Sequence, residues 1–359
     1  MLALYPTYCA LTAFNCGAAR AQNSWSLIIL RFFAGAFGSS PMTNAGGVIA
    51  DMIPAEQRGI AMSAFAAAPF LGSVIGPIIG EFLGMKVGRR WLMGFMGSLL
   101  RGHITGKKHR IKVEVDQGKL TMKDSFRIAL SRPWALLFWE PIVFLLSLYT
   151  AYGTLFMLCA AYPIVFQQIR GWNPGLGTLS FLGIMVGMLL AVGYTILDNN
   201  MRCIRTESRH GVAASPEITI PAGLYWFAWT KSPSIHFMAC ISAGIPFGFG
   251  MVLIFLDITN YLIDAYTICA ASVLAANSIK RSCFAAVFPM LTTYMYQALS
   301  IHWASSIPAF LALACVPFAS LFYRYGAAIR KRCKYSAQSD AFRSGSNQGR
   351  ELKRRKQRI

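Results

Sequence analysis

Charged side chains inside long apolar segments are the first candidates for chemistry in this sequence. Arg31 interrupts the apolar segment 26–50, and Lys280 and Arg281 lie about a dozen residues into the segment 269–294. A charged group at the centre of a bilayer costs at least about 2.5 kcal/mol, so such residues usually face a cavity or a partner helix. We therefore expect Arg281 to have a cavity or domain-interface role. Arg31 lies nearer an end of its segment and could equally extend to the membrane surface.

Uncharged polar groups in or near apolar segments are the second set of candidates. Asn44 and Asn277 could bind substrate or only bridge helices through their amides. Asn260 and Asp264 are expected to organise a cytoplasmic turn and to contribute to gating. Five rings along one segment could bind a cation, but lipid-facing bulk and an interfacial belt are the favoured interpretation. These rings are Tyr149, Tyr152, Phe156, Tyr162 and Phe166.

Metal and hydrolytic chemistry find little support in the sequence. The nine cysteines show no C-x-x-C spacing, and the five histidines lie far apart. This pattern predicts neither a metal site nor a disulfide framework. An enzyme embedded in the membrane would need His, Asp or Glu clustered across several segments, so we expect a protein that is not an enzyme.

The elements that must position these side chains are membrane-spanning helices. Hydrophobic residues make up 55% of the 359 residues and charged residues 13%, whereas soluble domains carry roughly a quarter charged residues. A spanning helix needs about 20 apolar residues. Eight segments meet that length, namely 1–19, 26–50, 60–82, 137–167, 176–197, 234–260, 269–294 and 303–323. Two shorter candidates are 91–100 and 218–230. The sequence thus predicts an all-α polytopic membrane protein.

The distribution of basic residues predicts the topology. The net charge is +20, and nine of the 34 Lys and Arg lie in 101–132 while twelve lie in 324–358. Both regions fall on one side if the segments alternate, and basic loops favour the cytoplasmic side. Positive-inside topology therefore explains the charge better than a nucleic-acid surface does, and no nucleic-acid partner is expected. The expected organisation is a bundle in 1–100, a cytoplasmic linker in 101–136, a second bundle in 137–325 and a basic cytoplasmic tail in 326–359.

The stretch 69–84 carries the most specific motif. Gly72, Gly76 and Gly80 recur every four residues and share one helix face, and Pro77 permits a kink. Such a face lets a neighbouring helix approach closely, which is also the commonplace interpretation of small-x-x-x-small patterns. On this ground Gly76→Leu is expected to disrupt packing along this face.

In this order, Gly-x-x-x-Gly-Pro-x-x-Gly resembles the fifth-helix motif of drug:proton antiporters of the major facilitator superfamily. Arg31-x-x-x-Gly35-x-x-x-Ser39 resembles the fourth-helix motif, and Asp51 to Arg58 and Gly59 resemble the short cytoplasmic turn that follows. The second half resembles the polyamine and multidrug exporter branch through Trp172-Asn-Pro-Gly, Pro246-Phe-Gly-Phe-Gly250, Asn260 to Tyr266 and Ala275 to Ser282.

This resemblance implies two helical bundles around a central cavity. It also implies antiport-type export of small organic cations, polyamines or drugs across the plasma membrane. The proton gradient would supply the energy, without a cofactor. The small-molecule substrate and the lipid bilayer are the expected partners.

The register of the resemblance places residue 1 near the start of the family's third helix. The first bundle would then hold helices three to six and the second bundle helices seven to twelve, with 91–100 and 218–230 shortened. Asp51 would lack the arginine that usually pairs with it, and Glu81 stands where the family usually has glycine. The alternative expectation is therefore a truncated, non-transporting product of such a transporter gene.

Overall fold

A computed structural model describes most of the predicted segments. The described residues are 4–39, 55–88, 131, 133–136, 138, 140, 161–204, 219–230, 235–266, 269–299, 303, 306–314 and 316–317. Over these residues the chain forms helices and the turns between them, with no strand. This confirms the all-α fold class.

Nine α-helices are bounded within the described residues. They are α1 Leu4–Arg20, α2 Ser24–Gly38, α3 Ala55–Val87, α4 Pro174–Thr178, α5 Leu182–Ile204, α6 Thr219–Thr230, α7 Phe237–Ser242, α8 Gly244–Ala265 and α9 Ala270–Ala298. A π-helical turn, Ile164–Ile169, precedes α4, and a 3₁₀ turn, Leu179–Phe181, joins α4 to α5.

Helix length and composition support membrane crossing. The segments Ala67–Lys86, Pro174–Asp198 and Phe237–Ile263 are each long and apolar enough to span a bilayer. Large apolar side chains on α2 are open to the surroundings, with Trp25 77% and Phe32 70% exposed. Lipid can cover such side chains, whereas water would not favour them.

Two predicted segments differ from the helices in instructive ways. α3 is longer than the predicted 60–82, because it begins inside the segment assigned to a cytoplasmic turn and runs for 33 residues. At 1.5 Å per residue it is about 50 Å long, well beyond the apolar layer. α6, by contrast, has only 12 residues, close to the predicted short segment 218–230. The predicted segment 91–100 lies outside the described residues.

α8 is the centre of the described structure. It packs against α3, α5, α6 and α9. The six consecutive residues Met251 to Leu256 are all buried, so this helix is covered on every side. At the other end of the chain, α1 and α2 form an antiparallel pair in which Phe14 stacks on Phe33 at 5.4 Å and on Phe37 at 5.6 Å.

Candidate functional site

The closest helix contact in the described structure is formed by glycines of α5 and α8. An added Cβ at Gly187 would lie 2.9 Å from the carbonyl carbon of Ile245, and closer still to its oxygen. From α8, an added Cβ at Gly244 would lie 2.9 Å from the backbone nitrogen of Ile184. Backbone therefore lies against backbone, a proximity that only residues without a side chain permit. These two helices form a rigid unit.

The same contact includes a second glycine on each helix. Gly183 faces the backbone of Ile241, and Gly248 faces the backbone of Ile184. α8 thus directs Gly244 and Gly248 at α5, whereas α5 directs Gly187 at Ile245 of α8 and Gly183 at Ile241 of α7. The sequence analysis did not single out either pair, although both are visible as a four-residue spacing.

α3 also packs against α5 and α8, and it contacts α8 and α4 through side chains. The ring of Phe70 meets the ring of Phe255 on α8 edge to face, with centroids 5.0 Å apart. Near the other end of α3, Phe82 and Met85 approach Gly175 in α4, where an added Cβ would lie 3.2 Å from Phe82 Cε1. Because α3 precedes the basic linker and α5 and α8 follow it, these contacts join the two predicted bundles.

The ring of Phe255 also contacts a cationic side chain of α9. The Cζ atom of Arg281 lies 5.4 Å from the centroid of the Phe255 ring, within the range of a cation–π contact. One ring on α8 therefore touches α3 on one side and a half-buried guanidinium on the other. We call the set Phe70, Phe255 and Arg281 the Phe255 junction.

Two buried polar side chains lie one helical turn from the junction. Thr259 follows Phe255 by four residues on α8, and Asn277 precedes Arg281 by four on α9. The two helices are antiparallel neighbours joined by the turn Tyr266–Cys269, so Thr259 and Asn277 lie at the same depth. They are 2% and 4% exposed. Within the described residues, neither Thr259 Oγ1 nor Asn277 Oδ1 has a hydrogen-bond partner.

A buried carboxylate lies at the α8–α9 turn. The hydroxyl of Tyr266 donates to Glu140 Oε2 at 3.0 Å, and Glu140 is 2% exposed. A hydrogen bond to a carboxylate is stronger than one between neutral groups. This bond ties the beginning of the predicted segment 137–167 to the end of α8. The sequence analysis named Tyr266 only as the end of the stretch Asn260 to Tyr266 and missed Glu140, to which only the position of an acid inside an apolar segment could have pointed.

An aromatic cluster corrects one expectation. Tyr162 is fully buried and stacks on Phe166, Phe181 and Phe227, with centroids 4.9–5.6 Å apart. Tyr162 and Phe166 were expected to face lipid, and for these two that interpretation is wrong. The physical reason is the adjacent Gly244, whose missing side chain leaves room for the Tyr162 hydroxyl. Tyr149, Tyr152 and Phe156 lie outside the described residues.

Among the described residues, no helix packs closely on the glycine face of α3, and the predicted role of this face stays a prediction. An added Cβ at Gly72 or Gly76 meets no described heavy atom within 4 Å. Gly80 and Pro77 lie on the same helix, where Pro77 is one of two internal prolines. α3 contacts α8 through the Phe70 ring, and no described atom of α5 or α8 lies where the expected steric clash of Gly76→Leu would arise at its Cβ.

The other predicted residues are dispersed. Arg31 is exposed on α2, and Gly35, four residues on, has open space around it in the described structure. Arg58 lies in the first turn of α3, and Asp264 lies in the last turn of α8, where Asn260 is half-buried. Asn44 and Asp51 fall outside the described residues. Of the predicted set, the structure brings Asn277 and Arg281 together, and the functional roles of all these residues stay predictions.

No group of three or more His, Cys, Asp or Glu that could hold a metal occurs in the part of the chain that the structure describes. The chemistry available at the Phe255 junction is instead cation–π contact and hydrogen bonding in a largely apolar setting. That combination suits the recognition of an organic molecule.

Comparison with known families decides the classification. Residues 1–279 match the family described as the Major Facilitator Superfamily. The chain belongs to the major facilitator superfamily. This confirms the family suggested by the glycine–proline motif, and with it an integral, multi-pass membrane protein.

Two fungal relatives of this superfamily are highly similar in sequence. The chain is 64% identical to the Major facilitator superfamily multidrug transporter mdrA of Aspergillus fumigatus, over 94% of this chain and 61% of that protein. It is 55% identical to the MFS-type efflux pump MFS2 of Trichophyton rubrum, over 95% of this chain and 64% of that protein. The chain thus spans less than two thirds of the length of these relatives. Their names describe transporters rather than enzymes, which confirms that the chain is not an enzyme.

The fold is shared with a solved structure of the superfamily. The crystal structure of the human organic anion transporter MFSD10 (TETRAN) superposes with a TM-score of 0.61, over 88% of this chain and 76% of that chain. The sequences are only 13% identical, so the likeness concerns the major facilitator fold alone.

Proposed function

We propose that this major facilitator protein exports small organic molecules across the plasma membrane, in exchange for protons that enter down their gradient. Membership in the superfamily supports a transporter, and the names of the two fungal relatives support efflux. Proton coupling and a cationic substrate class are what the sequence resemblance implies.

The observation that carries the proposal is the contact of α3 with α5 and α8. Transporters of this architecture alternate access by moving one helical bundle against the other around a site near the middle of the membrane. α3 meets the second bundle through Phe70 at the Phe255 junction and through Phe82 and Met85 at Gly175. Side chains at such a contact can repack, whereas the glycine contact of α5 with α8 holds backbones together.

Energy-dependent efflux tests this proposal. The chain is expressed in a yeast strain that lacks its own multidrug exporters, and the cells are loaded with the fluorescent cation rhodamine 6G. We expect cells with the chain to lose dye faster than cells with an empty vector, and a protonophore to abolish the difference. Dye loss equal to that of the empty vector, with the protein folded in the membrane, would contradict export of organic cations by this chain.

A pair of phenylalanine variants connects efflux with the α3 contact. Phe70→Ala removes the ring that packs on Phe255, whereas Phe32→Ala removes a ring of α2 that is 70% exposed. We expect the first variant to slow efflux several-fold and the second to leave the rate nearly unchanged. Equal rates for the two variants would show that the α3 contact does not govern transport.

The proposed topology places the linker 101–136 and the tail 326–359 in the cytoplasm. The support is their basic composition. Single cysteines introduced at Lys112 and at Ser344, in a chain without other cysteines, should react with an impermeant maleimide only after the cells are permeabilised. Reaction in intact cells would reverse the orientation.

A further inference from the structure

Arg281 is a half-buried cation without an acidic partner in the described structure. Its guanidinium rests on the face of the Phe255 ring, and no described carboxylate pairs with it. A guanidinium has five N–H donors in its plane, and a phenylalanine ring offers them no oxygen or nitrogen acceptor. Holding such a group in an apolar setting without an acceptor is costly, which makes it a site for an acceptor-bearing ligand.

Thr259 and Asn277, one helical turn away, add two more polar atoms that have no hydrogen-bond partner among the described residues. Both side chains are at least nine-tenths buried, and Thr259 Oγ1 and Asn277 Oδ1 have no partner among the described residues. A buried polar atom without a partner costs about 1–3 kcal/mol. Arg281, Asn277 and Thr259 therefore form a run of polar groups beside the Phe70 and Phe255 rings, which we call the polar ladder.

The charge around the polar ladder is positive. α9 contains no Asp or Glu, so Arg281 has no acidic neighbour on its own helix. On α8, Asp257 is two residues from both Phe255 and Thr259, which places it about 200° around the helix from either. On α3, the described acid Glu81 is exposed and lies 11 residues, about 16 Å along the helix, beyond Phe70.

We propose that the polar ladder binds the acidic group of a small amphipathic organic acid. The carboxylate would accept two hydrogen bonds from Arg281 in the bidentate geometry that a guanidinium favours. Asn277 and Thr259 would bind further polar atoms of the ligand, and its apolar body would contact Phe70 and Phe255. The ligand is therefore of the opposite charge to the cations that the sequence resemblance implies. As an assignment of substrate class, this inference rests on the proposed export function.

Three ligands with the same ring system but different charge test the inference. Indole-3-acetate is an acid, indole-3-acetamide is its neutral counterpart and tryptamine is a cation. Binding of each to the purified chain, in nanodiscs of neutral phosphatidylcholine, is measured by isothermal titration calorimetry at pH 7.4. We expect the acid to bind at least tenfold more tightly than the amide, and tryptamine to bind most weakly. Equal affinities, or tightest binding of tryptamine, would overturn the assignment.

Matched variants locate the effect on Arg281. Arg281→Gln should remove the preference for the acid over the amide, and Arg281→Lys should keep part of it. Lys280→Gln removes the same charge from the neighbouring residue and should leave the preference within about twofold. Asn277→Ala and Thr259→Val should weaken the acid and the amide together. A preference that survives Arg281→Gln, or disappears equally in Lys280→Gln, would refute the role of the polar ladder.

Efflux of the same ligands separates this inference from the proposed function. If the chain binds the acid through Arg281 but no ligand leaves cells by an energy-dependent route, the export function is wrong and the polar ladder stands. If all three ligands are exported equally, and Arg281→Gln changes none of the rates, export stands and the assignment of an acid is wrong. If the preference for the acid appears in both assays, both are supported.

Discussion

Replacing Gly187 with alanine would place a methyl group against the backbone of the neighbouring helix. The added Cβ would lie 2.9 Å from the carbonyl carbon of Ile245 and 3.0 Å from its Cα, whereas carbon atoms in favourable contact are about 3.5–4.0 Å apart. The atoms in the way are backbone, so no rotamer change relieves the overlap. α5 and α8 would have to separate by about 0.5–1 Å at this point to restore that spacing.

The expected cost follows from two opposed effects. Overpacking a well-packed interior costs about 1–3 kcal/mol, and a clash with backbone belongs at the upper end of that range. Glycine to alanine within a helix gains about 1 kcal/mol of helix propensity. Gly187→Ala should therefore lower the free energy of unfolding by about 2 kcal/mol, whereas Gly193→Ala should raise it by up to about 1 kcal/mol, because its Cβ meets no described atom within 4 Å.

The reactivity of a buried cysteine measures this difference directly. Cys240 lies on α7 beside the glycine contact and is completely buried. In a background that retains Cys240 and replaces the other eight cysteines with serine, a thiol-reactive fluorophore reports how often this region opens. A difference of about 3 kcal/mol between the two alanine variants corresponds to labelling about 100-fold faster in Gly187→Ala.

The result that would refute this reasoning is equal labelling in Gly187→Ala and Gly193→Ala. Both variants make the same chemical change on the same helix, so general effects of the substitution cancel. Equal rates would mean that α5 and α8 do not meet through Gly187 in the membrane. Slow labelling in both variants, compared with the parent, would show that helix propensity alone decides.

Two further predictions concern single contacts. Tyr266→Phe removes the donor to Glu140 and should lower the free energy of unfolding by about 1.5–3 kcal/mol, measured by thermal unfolding in detergent. Tyr294→Phe is the control, because this side chain is 72% exposed, and it should leave the free energy of unfolding unchanged. Equal effects of the two variants would contradict the prediction. Gly171 has a φ of +69°, in the left-handed region. Gly171→Ala should therefore lower the free energy of unfolding by about 1–2 kcal/mol, and Gly171→Asn should lower it less. An alanine variant as stable as the parent in the same assay would argue against the left-handed turn.

Apolar run length predicted the helices well because the thickness of the membrane sets it. α1, α6 and α9 agree with the predicted segments to within four residues at both ends, even where α6 is unusually short, whereas α5 begins six residues and ends seven residues later than predicted. Run length could not reveal interruptions inside an apolar segment. The π-helical turn before Arg170 and the single residue Ala243 between α7 and α8 change backbone geometry without changing hydropathy.

The location of the tight helix contact could not be predicted from spacing alone. Gly72 and Gly76 on α3 and Gly183 and Gly187 on α5 share the same four-residue period. The period shows that a helix face is small, but the neighbour that uses it depends on tertiary packing. A sharper signal was present in the pairing of two such faces, because α8 carries Gly244 and Gly248 within the same half of the chain.

Arg281 illustrates the opposite case, where chemistry alone singled out a residue that contacts the Phe255 ring, although its role stays a prediction. An arginine deep in an apolar segment must find compensation, and the sequence analysis expected a cavity or interface role on that ground. Its partner was not predictable, because a phenylalanine 26 residues earlier in the chain gives no sign that it faces a cation. Thr259 escaped notice for the same reason, since a lone threonine commonly bonds its own helix.

The described structure contains two kinds of helix contact, one that holds helices rigidly together and one that lets them slide. α5 and α8 meet backbone to backbone, where a shift of less than 1 Å would create overlap, so they must move together. α3 meets α8 through the Phe70 ring and meets α4 through the Phe82 ring and the flexible Met85 side chain, and these side chains can exchange rotamers as the surfaces slide. In the proposed rocking motion the sliding surface is therefore the one along α3, and the Phe255 junction lies on it. A ligand on the polar ladder would contact the second bundle through Arg281 and the first bundle through the Phe70 ring of α3. Binding would then favour one arrangement of the two bundles over another.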